Sequence, residues 1–140
     1  MTKEVKYFMA KGIVRKIDEL GRITLPMEYR KTFGISAKEQ APIGMYIVDG
    51  EIHLVRADDK FRGIARNLDE LGRLTLPIEV RRSLNFTDRQ KVDIYVEYGQ
   101  IIVKKVGCEW CSSEEDLMEV NGHCLCRKCT YKVVDAVMEA

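Results

Sequence analysis

One segment of this chain is written twice. Residues 12–35 read GIVRKIDELGRITLPMEYRKTFGI and residues 63–86 read GIARNLDELGRLTLPIEVRRSLNF, at a constant offset of 51, with DELGR and TLP unchanged. The copies then drift apart and meet again as MYIVDGEIHLV (45–55) and IYVEYGQIIVKK (94–105), at offset 49, so two extra residues fall between Ser36 and Gly44. Chance does not produce such a match, and a duplication constrains the fold more than any single motif.

Each copy predicts the same layout. A strand (Gly12–Ile17; Gly63–Leu68) leads into Asp-Glu-Leu-Gly, where Asp opens a turn and Gly supplies a positive φ. A second strand follows (Arg22–Leu25; Arg73–Leu76). Pro26 or Pro77 is then expected at the first position of a helix of about two turns, with Tyr29/Phe33 or Val80/Leu84 as its apolar stripe. Gly34 and Asn85, the residue types most tolerant of the left-handed conformation, should end it. A hairpin with Asp49-Gly50 or Tyr98-Gly99 at its turn closes the unit. Pro42 implies an edge or a strand start. About 45 residues bury little alone, and their open strand edges need a partner. The two copies are expected to pair with each other and close one barrel; the alternative is pairing with the equivalent copy of a second chain. The expected divisions are a tail (1–11), repeat one (12–57), a linker (58–62), repeat two (63–106) and a cysteine module (107–140).

Charge divides along the same line. Residues 1–106 hold 20 Lys+Arg against 15 Asp+Glu, a surplus of five, whereas 107–140 hold 3 against 7, a deficit of four. A polyanion would therefore meet the first part and not the second. No apolar run approaches a membrane span, and the start MTKEVKYFMAKG carries no apolar signal core. A cytoplasmic, nucleoid-associated protein that makes no membrane contact is the expectation.

All five cysteines lie within the last 33 residues. Cys108-Glu-Trp-Cys111 is followed after 14 residues by Cys126-Arg-Lys-Cys129. Two CxxC turns each aim two thiolates at one ion, and together they complete a tetrahedron: the expected ligands of one structural Zn2+ are Cys108, Cys111, Cys126 and Cys129. A module of this size needs such a staple. Between the pairs, Leu117–Val120, Asn121-Gly122 and His123–Cys126 read as a hairpin, and Tyr131–Met138 reads as a helix with Tyr131, Val134 and Met138 on one stripe. This order resembles a treble-clef or zinc-ribbon finger. Cys124 is left as a small buried residue, a redox-sensitive thiol or an alternative ligand, and His123 as another alternative ligand. The negative charge points the module away from DNA and toward a protein partner, a second copy of the chain or a role as a metal or redox sensor. Trp110 is a candidate anchor for that contact or a cover for the metal.

The repeated block resembles the AbrB/SpoVT family of bacterial transition-state regulators over residues 12–56 and 63–105. The resemblance implies a mainly β fold with short helices, in which two AbrB-like half-folds, normally from two chains, close a swapped-hairpin β-barrel; here it implies a fused pseudo-dimer. It also implies binding to double-stranded DNA through Arg15, Arg22, Arg30 and Lys31 of copy one and Arg66, Arg73, Arg81 and Arg82 of copy two. Their positions suit the role independently. Arg22 and Arg73 share strand faces with Thr24 and Thr75, Arg30/Lys31 and Arg81/Arg82 lie off the helix stripes, and doubled cations suit repeating phosphates. The bland reading is solvated surface arginines. Arg15 and Arg66 fit least well, because alternation places them with Ile13/Ile17 and Ile64/Leu68. Lys31 against Arg82 loses bidentate chemistry in one copy, so identical half-sites are not expected.

An enzyme is not expected. Asp18/Glu19 and Asp69/Glu70 read as turns, His53 and His123 lie near no nucleophile, and no phosphate loop or triad pattern occurs. The competing reading is an antitoxin-like interaction module. MazE-type antitoxins resemble one such half-fold with an acidic tail, although the tail here carries a folded-looking cysteine signature.

Overall fold

A computed structural model of the chain describes residues 6–7, 9–32, 34 and 42–140. Phe33, Ala41 and most positions between Ser36 and Gly44 lie outside the described residues, as does most of the 1–11 tail. Copy one supplies β2 (Ile13–Lys16), β3 (Arg22–Thr24), α1 (Met27–Thr32), β4 (Pro42–Val48) and β5 (Glu51–Arg56), after a short β1 (Lys6–Tyr7). Copy two repeats the series as β6 (Ile64–Asn67), β7 (Arg73–Thr75), α2 (Ile78–Ser83), β8 (Lys91–Glu97) and β9 (Gln100–Lys105). The remainder forms β10 (Leu117–Val120), β11 (His123–Cys126) and α3 (Arg127–Glu139).

The two copies interleave. One six-stranded sheet runs β2-β8-β9-β5-β4-β6, so the first strand of each copy adds to the hairpin of the other. A separate ladder joins β3 to β7. At the centre of that ladder Ile23 faces Leu74, and at the centre of β5–β9 His53 faces Ile102. Each of these residues faces its own repeat equivalent, which places an approximate two-fold axis through both pairs. The edges left by one copy are thereby covered by the other.

The core follows from strand alternation. Ile23, Leu25, Leu74 and Leu76 from the β3/β7 ribbon meet Ile52, Leu54, Ile94, Ile101 and Val103 from the sheet, all at most 1% exposed. Each such side chain contributes about 1.5–3 kcal/mol relative to exposure. The hairpin turns carry consecutive positive φ values at Asp49-Gly50, Tyr98-Gly99 and Asn121-Gly122, the geometry that matches strand twist.

The expected helix ends need one adjustment. Pro77 does not open α2 from inside: its ψ of 150° is extended, so it is the flanking residue, and its carbonyl accepts from Arg81 N–H. Both repeat helices have six residues, shorter than two turns. They end as expected, with φ of +62° at Gly34 and +55° at Asn85. The last helix begins four residues before Tyr131, because the Cys126 sulfur accepts from Cys129 N–H and caps it at Arg127.

The cysteine-bearing segment is fastened to the rest. Part of the expected tail is a strand: β1 pairs antiparallel with β10, Tyr7 opposite Met118. Lys104, almost fully buried, reaches the Gly122 carbonyl and lies 3.6 Å from Glu119. Lys91 pairs with Glu114 at 3.2 Å.

Candidate functional site

The DELGR turns build one face around the two-fold axis. Asp18 Oδ1 accepts from Leu20 and Arg22 N–H, which closes the turn, while Oδ2 takes Arg22 Nε at 2.7 Å. Asp69 does the same for Leu71 and Arg73, with Arg73 Nε at 2.5 Å. Partial burial acts to raise both carboxyls. The backbone N–H groups and guanidiniums beside them prevail, and both stay below the ordinary aspartate value. The aspartates are therefore turn residues, as the sequence implies, and also the braces that aim Arg22 and Arg73. Across the ladder Arg22 faces Thr75, and Thr24 faces Arg73. The two threonines are exposed and the two arginines half-exposed.

The helix arginines cross between copies. Arg30 Nε donates to the Leu25 carbonyl and Arg81 Nε to the Leu76 carbonyl. The Arg30 guanidinium lies where a Cβ on Gly72 would stand, 2.5 Å from Cζ, and Arg81 does the same over Gly21 at 2.7 Å. Each glycine also has φ of +79°. The unchanged Gly of DELGR thus serves a turn and a cross-copy platform together, and only its exact recurrence hints at the second use.

Lys31 and Arg82 are exposed on the helices, and Arg15 and Arg66 are exposed on β2 and β6. These two strands are the outer ones of the six-stranded sheet. Arg15 and Arg66 stand opposite the buried Val92 and Ile43, so alternation assigns their face correctly, but at a sheet edge long side chains leave it for solvent. The Arg66 guanidinium donates to the Ala65 carbonyl at 2.8 Å.

The second feature is sulfur. The Sγ atoms of Cys108, Cys111, Cys126 and Cys129 all lie within 4.8 Å of one another, with Cys111 and Cys126 at 3.5 Å. A tetrahedral ion with bonds of about 2.3 Å to sulfur sets its ligands about 3.8 Å apart, so the set fits such an ion. Cys108, Cys126 and Cys129 are buried and Cys111 is exposed. Burial acts to raise Cys108, but backbone N–H groups of Cys126, Cys111 and Trp110 and the Cys129 thiol bring it down to about 6. Cys129 is pushed up to about 12 by burial and by its bonds to the neighbouring sulfurs. Cys124 is 1% exposed, its thiol is pushed up to about 11 by burial, and it lies outside the group of four. His123 lies outside it too and contacts Glu109 at 3.1 Å.

One connection between the two features has no counterpart in the sequence reading. Lys105, 4% exposed, donates from Nζ to the Asn85 carbonyl at 2.7 Å and to Ser112 Oγ at 2.6 Å. Asn85 Nδ2 donates to the Trp110 carbonyl at 3.2 Å. Trp110 itself is 55% exposed. The end of α2 is thus joined to the first CxxC turn.

Parts of the chain are similar to known proteins. The family described as "Antidote-toxin recognition MazE, bacterial antitoxin" matches residues 68–110. "Transition state regulatory protein AbrB" of Bacillus subtilis (strain 168) is 48% identical over 46 residues, which are 33% of this chain and 48% of that protein. "Stage V sporulation protein T" of the same organism is 40% identical over 47 residues, 33% of this chain and 26% of that protein. The chain thus spans half or less of the length of these relatives. No solved structure matches. Among the described residues no helix is long and apolar enough to cross a membrane. A mainly β chain with this repeat, these turns and these relatives carries a domain of the MazE/AbrB type.

Proposed function

We propose that the chain is a DNA-binding transcription regulator. In this reading its tandem half-folds form a swapped-hairpin β-barrel of the AbrB kind, complete within one chain, and residues 107–140 form a zinc module of the treble-clef or zinc-ribbon kind. The observation that carries the proposal is the two-fold pairing of Arg22 with Thr75 and Arg73 with Thr24 on one exposed face, each arginine aimed by its own aspartate.

Positions Arg22 and Arg73 sit at the axis and take the centre of the duplex contact. Arg30 and Arg81 brace the DELGR turns and present their remaining donors beside them. Lys31, Arg82, Arg15 and Arg66 flank this centre and neutralise phosphates. Arginine at the centre suits bidentate bonding to phosphate or guanine. Lys31 opposite Arg82 makes the halves unequal, which favours an asymmetric site or recognition of shape. Cys108, Cys111, Cys126 and Cys129 would hold one Zn2+, which supplies a structural cross-link between the two CxxC turns. The acidic module then faces a protein partner or a second copy of the chain, and the protein works in the cytoplasm, at the nucleoid.

Fluorescence anisotropy on AT-rich duplex DNA, titrated with salt, tests this. Binding should weaken with a log–log slope of about −4 to −7, for about five to eight phosphates neutralised. An Arg22→Ala/Arg73→Ala double variant should lose both affinity and slope. Equal binding by wild type and variant would remove the axis from the contact, and micromolar background alone would remove DNA from the function.

The match to the antitoxin family favours a second reading, in which residues 107–140 capture a toxin-like protein and DNA binding is secondary. A stable one-to-one complex with the product of a neighbouring gene, unaffected by the double variant, would support it.

A further inference from the structure

We propose that metal loading of the four-cysteine centre sets the position of α2, and with it the cations of the second copy alone, through Asn85 and Lys105. The proposal rests on the reading that these cysteines bind metal and that Arg81 and Arg82 meet DNA.

The route is short and made of hydrogen bonds. At the end of α2 the Asn85 N–H donates to the Arg82 carbonyl, and the Phe86 N–H donates to the Arg81 carbonyl. This is a Schellman arrangement, with Asn85 left-handed at φ +55°. The backbone it closes is that of the two helix arginines. Asn85 is in turn gripped from both sides: its own carbonyl by Lys105 Nζ, and the Trp110 carbonyl by its side-chain amide. Lys105 continues to Ser112 Oγ, and Ser112 N–H returns to the Cys108 carbonyl at 2.9 Å. The first CxxC turn therefore meets the α2 cap directly at the Trp110 carbonyl and, through Lys105, at Ser112 just beyond it.

Copy one isolates what is special. Its cap, Gly34, bonds back to the Lys31 carbonyl in the same way. The residue matching Lys105 at offset 49 is Arg56, and Arg56 Nη1 reaches the Gly34 carbonyl at 3.5 Å. A cation from the end of the hairpin thus meets the helix cap in both copies. In copy two that cation is buried, its bond is shorter, and it is shared with the cysteine turn. A metal held by four thiolates leaves about two negative charges there, and these favour the ammonium of Lys105 where it sits. Without the ion, the CxxC turn loses the cross-link that holds Ser112 and the Trp110 carbonyl in place. Lys105 and Asn85 are thus positioning residues for one half of the cation face, and the DNA contact becomes unequal according to metal.

Amide hydrogen exchange on the full chain tests this, with zinc-loaded and chelator-stripped protein compared. Stripping should speed exchange at Leu84–Phe86 by about tenfold, the scale of one charged hydrogen bond, and change α1 less than about twofold. Lys105→Met should loosen the same amides with zinc still bound, and Lys105→Arg, which copies Arg56, should restore them. Ser112→Ala leaves the cation in place and cuts one of the two links to the turn, so it should weaken the response of the α2 cap to chelator, with the Asn85–Trp110 bond carrying what remains. Cobalt substitution separates the two layers of the argument. A chain with no cobalt–thiolate absorption overturns the metal reading and this proposal with it. A chain that shows the absorption, but whose α1 and α2 respond alike or not at all, overturns the coupling alone.

Discussion

Gly21 and Gly72 show how one small residue serves two ends. Each holds φ of +79°, and each lies under a guanidinium from the other copy. Gly72→Ala must strain the backbone and also push Arg30 aside, since its Cβ would stand 2.5 Å from the Arg30 Cζ. The expected cost is about 1–3 kcal/mol, read as a lower urea midpoint, together with weaker DNA binding. Unchanged stability and affinity would show that Arg30 has another resting place. The turn role of Gly was legible from Asp-Glu-Leu-Gly. The platform role was not, because the arginine above each glycine comes from a residue 42 positions away in one direction and 60 in the other. The same holds for Asp18 and Asp69. Their bonding to the next residues is local chemistry, but that they also aim Arg22 and Arg73 depends on which way the following strand turns.

At the scale of elements, the β3–β7 ladder depends on one central pair. Ile23 and Leu74 face each other with no exposed surface. Leu74→Ala should destabilise the fold by about 2–5 kcal/mol, the range for a buried leucine whose cavity cannot collapse, and equilibrium denaturation measures it. A loss below about 1 kcal/mol would mean that the ribbon is peripheral to the core. Strands, turns and the C-terminal ends of the repeat helices were legible here because the two copies supply independent readings of one pattern, and the left-handed caps at Gly34 and Asn85 fall where both readings agree. The first strand was not legible. Two residues, Lys6 and Tyr7, carry no periodicity, and only the presence of β10 beside them makes a strand. The start of α3 was placed late for a related reason: its cap is a cysteine sulfur, which the apolar stripe from Tyr131 onward does not signal.

For the whole molecule, the core of the repeats and the cysteine centre are separate clusters. Removal of metal should therefore open residues 107–140 while the repeats stay folded. Calorimetry should then show one transition nearly unchanged and another lost on chelation, and restored by Zn2+. A single transition that collapses with the metal would make the cysteine centre essential to the whole fold. The duplication, the strand and turn plan, the charge division between the repeats and the tail, and the gathering of four sulfurs all follow from the order of the residues. These are properties of neighbouring residues, or of spacings that recur. Tertiary structure alone decided which strand pairs with which copy, that Arg30 and Arg81 cross the two-fold axis, and that Lys105 ties the α2 cap to the first CxxC turn. Those contacts join residues far apart in the chain, and a linear pattern holds no record of a partner that only the folded sheet brings near.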